Sequence, residues 1–62
     1  MTKAEIRNRL EQMDNVSVDY HSIRRDGDTY YYACNHSGRK ADIGWFTKTK
    51  PVADVMDFQM FA

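Results

Sequence analysis

Cys34 and His36 stand two residues apart in YYYACNHSG, and on an extended strand that spacing turns both side chains to one face. A thiol beside an imidazole is the material of a nucleophile and its base, provided the ring reaches the sulfur proton. With His21 the pair would offer three ligands to zinc, yet the chain has no C-x-x-C or H-x-x-x-H spacing to hold them. Asp26 and Asp28 flank Gly27 as oxygen ligands for calcium would, but the twelve-residue frame with its closing Glu is absent. Asp-Gly is first of all a hairpin turn. No glycine-rich loop cradles a phosphate. The chain therefore reads as no enzyme, with no catalytic residue, cofactor or metal, and Cys34 as a small buried hydrophobe.

Basic and aromatic residues carry the remaining chemistry, which is that of binding. Arg24 and Arg25, Arg39 and Lys40, and Lys48 and Lys50 form three separated clusters that could straddle a phosphate backbone. Asp26, Asp28 and Asp42 lie beside them and partly cancel their charge. Nine basic and nine acidic side chains give a formal charge of zero, which supplies no long-range pull toward nucleic acid or anionic lipid. Tyr30, Tyr31 and Tyr32 are consecutive, so a strand must carry aromatic rings on both faces.

The elements that position these residues can be read from pattern. Sixty-two residues allow one domain, and a domain of that size buries a modest share of its surface and is marginally stable alone. Thr2 with Glu5 three residues on forms a capping box. Ile6, Leu10 and Met13 follow as one apolar stripe, and the helix ends near Asp14-Asn15. VSVDYHSI alternates as a strand with Val16, Val18 and Tyr20 on one side; Asp26-Gly27 turns the chain into TYYYACN; Ser37-Gly38 turns it again into KADIGWFTK. Pro51 suits the start of a second helix with Val52, Val55, Met56 and Met60 inward. Met56, Phe58 and Met60 also alternate as a fourth strand would. The expected fold is α+β, in the order α-β-β-β-α, with a three-stranded antiparallel sheet packed on the amino-terminal helix.

A two-residue turn at Ser37-Gly38 sets Cys34 across from Ala41, Tyr32 from Ile43 and Tyr30 from Trp45. Ile6, Leu10, Tyr30, Tyr32, Ile43 and Trp45 are then the expected core. Tyr31 and Phe46 share the opposite face, with Gly44 between them as a shallow depression. The first strand fits awkwardly: a one-residue change in the Asp26-Gly27 loop exchanges its faces, and a bulge would let both of its ends point inward.

The α-β-β-β-α order resembles that of the double-stranded RNA-binding domain. Lys48 and Lys50 then stand near the start of the second helix, where that family places basic residues. The family's adjacent-lysine motif is not in this sequence: Pro51 interrupts it, and RDGD is a tight turn where the family has a longer loop.

Function is thus expected from surfaces. The leading expectation is a small stand-alone protein-binding module, a regulator or inhibitor of the kind encoded by phages and other mobile elements, that occupies a partner's surface. The partner is another protein or a second copy of the chain, and the contact residues are Tyr31, Phe46 and Tyr20 with Arg24 and Lys48 at the rim. The alternative is a small nucleic-acid-binding domain using Arg24, Arg25, Arg39, Lys40, Lys48 and Lys50. A single cysteine excludes an internal disulfide, and no segment resembles a signal peptide or a membrane span, so a cytoplasmic protein without membrane contact is expected.

Overall fold

Thr2 starts the first helix as its neighbours demand. Its hydroxyl accepts the Glu5 N–H at 3.2 Å, and the Glu5 carboxylate accepts the Thr2 N–H at 2.8 Å. Helix α1 (Lys3–Asp14) ends at Asn15, whose left-handed φ of 56° returns its N–H to the Glu11 carbonyl. Leu10 is wholly buried, and Ile6 and Met13 pack beside it as the apolar stripe requires.

A computed structural model of the chain describes residues 1–36 and 44–58. After α1 come β1 (Val16–Val18), a one-turn 3₁₀ helix (Tyr20–Ser22), β2 (Arg24–Asp26), β3 (Thr29–His36), β4 (Phe46–Pro51) and α2 (Val52–Asp57). All pairings are antiparallel. β3 is central, with β4 on one edge and β1 then β2 in succession along the other. The protein is α+β, as the pattern implies, with both helices contributing to one core.

The expected first strand is split, and its register explains why. Val18 faces Cys34 and Arg24 faces Tyr31, so the five residues 19–23 lie against only two on β3. Three extra residues are an odd insertion, and an odd insertion exchanges faces. Val16 and Val18 before it and Ile23 after it can all point inward, and all three are buried. The bulge needed to satisfy both ends is thus a turn of 3₁₀ helix, and Tyr20 belongs to it rather than to a strand. The interrupted ladder is bridged: the Asp19 N–H donates to the Ala33 carbonyl at 2.9 Å, and the Ala33 N–H donates to Ser22 Oγ at 2.8 Å. The hairpin is shifted by one residue from its expected centre. Asp26 pairs with Thr29, leaving Gly27-Asp28 as the two turn residues. Gly27 has φ 62°, which a hairpin turn needs at that position and glycine adopts without strain.

The third strand corrects the sequence reading more deeply. Cys34 faces Phe46, Tyr32 faces Lys48 and Tyr30 faces Lys50. The paired segment is FTKTKP, beginning after Trp45, and Tyr30 meets Lys50 rather than the expected Trp45; the Ser37-Gly38 turn lies outside the described residues. Trp45 is 58% exposed instead of buried across from Tyr30. Ala41 and Ile43 lie outside the described residues, as do Arg39, Lys40 and Asp42.

Pro51 precedes α2 as its cap residue without a side-chain bond. Residues 52–57 are helical, so the fourth-strand alternative does not form there; Val52 and Val55 are buried, and Met56 is 39% exposed. Met60 is outside the described residues. Two contacts seat this short helix. The Val52 N–H donates to the Asp28 carbonyl at 2.7 Å, and Arg9 Nη1 donates to the Val55 carbonyl at 3.1 Å, supplying the cation that the last turn of α2 lacks. The core is Leu10, Val16, Val18, Ile23, Tyr30, Tyr32, Cys34, Val52 and Val55. Its sheet residues share the face of Tyr30 and Tyr32; no described helix covers the face of Tyr31, and the molecule is a slab only 16 Å thick.

Candidate functional site

Alternation in β3 buries Tyr30 and Tyr32 and leaves Tyr31 half-buried on the face that no described helix covers. Arg24 is the direct cross-strand partner of Tyr31, and its guanidinium carbon lies 5.4 Å from the centre of the ring. On the β4 side Tyr31 faces Thr49, and Thr47 faces Ala33. Ser22, Arg24, Tyr31, Tyr32, Ala33 and Thr47 line a shallow cavity of about 150 Å³. It opens where the 3₁₀ turn replaces strand, because a sheet missing one rung of its edge leaves a notch. Arg24 makes no ion pair among the described residues.

Phe46 is not part of this surface. It pairs with Cys34 and so shares the Tyr32 face, opposite Tyr31. The pairing of Tyr31 with Phe46 expected from sequence rested on a turn at Ser37-Gly38, and the β3–β4 register changes its parity.

Lys48 and Lys50 are placed on the helix side by the same register, where they meet Asp14 at the end of α1. Lys50 Nζ lies 2.8 Å from Asp14 Oδ1 and Lys48 Nζ 3.4 Å from Oδ2, and the Tyr32 hydroxyl donates a hydrogen bond to Oδ2. The Asp14 side chain is only 4% exposed. Burial by itself would raise its pKa, but hydrogen bonds from Lys50 and Tyr32 and the charges of both lysines outweigh that and hold the carboxyl below its ordinary range. Burial, then the bond to Asp14 and its charge, push the Tyr32 phenol far above its usual value. Two lysines expected to reach a partner or a phosphate backbone are thus bound to the fold's own carboxylate.

The other sequence candidates are dispersed. Tyr20 lies under the start of α1, with Lys3 Nζ 5.3 Å and the Arg7 guanidinium 5.7 Å from its ring, and His21 against its edge. Arg25 pairs across from Tyr30 and donates Nε to the Gly27 carbonyl at 3.0 Å. Cys34 is buried, and burial raises its thiol pKa, so it stays protonated in the core while His21 is exposed. The sequence reading missed Asp14, Ser22 and Thr47 as site residues. Asp14 offered one signal, a carboxylate at the end of an apolar helix stripe, but its lysine partners come from a strand more than thirty residues away.

No family model matches this chain, and no curated protein or solved structure matches it. Among the described residues no helix is long and apolar enough to cross a membrane.

Proposed function

We propose that this protein is a small protein-binding module that regulates or inhibits a partner by covering part of its surface. The observation that supports this most is the sheet face that no described helix covers, where Tyr31 and Arg24 form a cross-strand pair whose cation meets no carboxylate among the described residues. An aromatic ring backed by a rigid strand, with a neighbouring arginine, has the character of an interface anchor, and such anchors contribute about 2 kcal/mol or more on binding. The partner is a protein, including a second copy of the chain, in preference to a nucleic acid. Of the basic clusters within the described residues, Lys48 and Lys50 are both drawn to Asp14, which cancels one of their two charges, and the guanidinium of Arg24 already occupies the Tyr31 ring on which a base would stack. Tyr31→Ala with Arg24→Ala is the test. The double variant should keep its far-ultraviolet circular dichroism and lose the co-purifying partner, or its self-associated mass in light scattering. A folded variant that keeps either would refute this surface. A gel shift at low salt with duplex or single-stranded probes that survives in the double variant would refute the choice of partner class.

A further inference from the structure

We infer that the notch beside Tyr31 is a receptor for one carboxylate, an Asp or Glu side chain presented by the partner. This rests on the proposed protein-binding role of the same face and adds the chemistry that the partner must bring.

Three features of the notch converge. Its charge is single and positive: Arg24 is the one cation among its lining residues, and no acidic side chain lines it. Arg24 is also held by the ring of Tyr31 across the strand. A guanidinium over an aromatic face still presents its N–H edges, and those edges match the two oxygens of a carboxylate. The second feature is the rim. The hydroxyls of Tyr31 and Thr47 have no hydrogen-bond partner among the described residues, whereas Ser22 Oγ is committed to Asp19 and Ala33. Tyr31 and Thr47 line the notch together with Arg24, and each brings a hydroxyl able to donate to an acceptor. The third is size. A volume of about 150 Å³ is roughly five times the ~30 Å³ that one water occupies in the liquid, enough for a carboxyl with one or two methylenes over the Ala33 methyl.

A phosphate fits these features less well. A dianion would call for a second cation, but Lys48 and Lys50 project to the other face and are paired with Asp14, and Arg25 alternates away from Arg24. One positive charge matched to one negative charge leaves neither over-compensated.

The test reads the notch in the isolated chain, with sodium propionate as the probe because it is the side chain of Glu cut free. In ¹⁵N-resolved nuclear magnetic resonance at neutral pH and constant ionic strength, propionate should produce saturable shifts confined to Ser22, Arg24, Tyr31, Ala33 and Thr47. Propionamide, of the same shape and uncharged, should bind about tenfold or more weakly. Arg24→Gln should abolish the propionate response and Arg24→Lys should weaken it; Arg24 is exposed, so the remaining spectrum should be unmoved. Equal shifts with propionamide, no localised response to propionate, or an undiminished response in Arg24→Gln would overturn the assignment. A stronger localised response to inorganic phosphate would overturn the choice of carboxylate. Because no partner is present, this result stands apart from the co-purification test: a notch that binds propionate on a face that recruits no protein would defeat the proposed function alone.

Discussion

Removing the Asp14 carboxylate should loosen the joint between α1 and β4. In Asp14→Asn the one remaining side-chain oxygen can still accept the Tyr32 hydroxyl, while the charge and the oxygen that accepts from Lys50 are lost to an NH2 group. Lys48 is 38% exposed and can turn to water, so its pairing contributes below about 1 kcal/mol. Lys50 is 24% exposed and 2.8 Å from Oδ1, a closer and drier contact. Charge-assisted hydrogen bonds of this type contribute about 1.5–3 kcal/mol, so the expected loss is about 2 kcal/mol at neutral pH. Asp14→Ala also orphans the Tyr32 hydroxyl and should lose about 3–4 kcal/mol, much of the reserve of a small domain. Urea unfolding followed by circular dichroism measures both. The pH dependence gives an independent check. Asp14 is depressed in the folded state, so its contribution is present above the unfolded value of 3.8 and fades as pH falls through the lower folded value. The gap between native protein and Asp14→Asn should be constant above about pH 5 and close in acid. In a double-mutant cycle, Lys50→Gln should cost little once Asp14→Asn is present. Equal stability of Asp14→Asn and the native chain at neutral pH, or an unchanged acid limb, would refute the view that this carboxylate holds β4 in register.

Two further substitutions test other parts of the fold. Trp45→Ala should cost less than about 1 kcal/mol, because the ring is 58% exposed, and the fluorescence of this single tryptophan should be readily quenched by iodide; a loss of several kcal/mol in urea unfolding would restore Trp45 to the core. Ser22→Ala removes the acceptor of the Ala33 N–H and should cost about 1–3 kcal/mol with faster amide exchange at Ala33, while unchanged protection there would show that the ladder gap is closed by other means.

The parts of this protein that depend on neighbours in sequence were legible without a structure. The Thr2–Glu5 capping box, the Leu10 stripe, the stop at Asn15, the hairpin at Gly27, the split of Tyr31 from Tyr30 and Tyr32, and the Val52–Val55 helix all follow from interactions within a few residues or from strand alternation. The break in the first strand was legible as a conflict, since Val16, Val18 and Ile23 cannot share a face at one spacing; that it is resolved by a 3₁₀ turn, with Ser22 taking the place of a backbone acceptor, needed the paired strand beside it. The β3–β4 register was not legible at all. Local hydrophobicity favours IGWF as the strand partner of the tyrosines, but FTKTKP takes that place. Each lysine stem can lie along the sheet with its ammonium on Asp14, a buried carboxylate that α1 delivers from the other end of the chain. That long-range pairing sends Phe46 to the helix side, exposes Trp45 and removes two lysines from the binding surface. It leaves Tyr31 and Arg24 beside a notch that exists only because two distant segments, the 3₁₀ turn and Thr47, meet across β3.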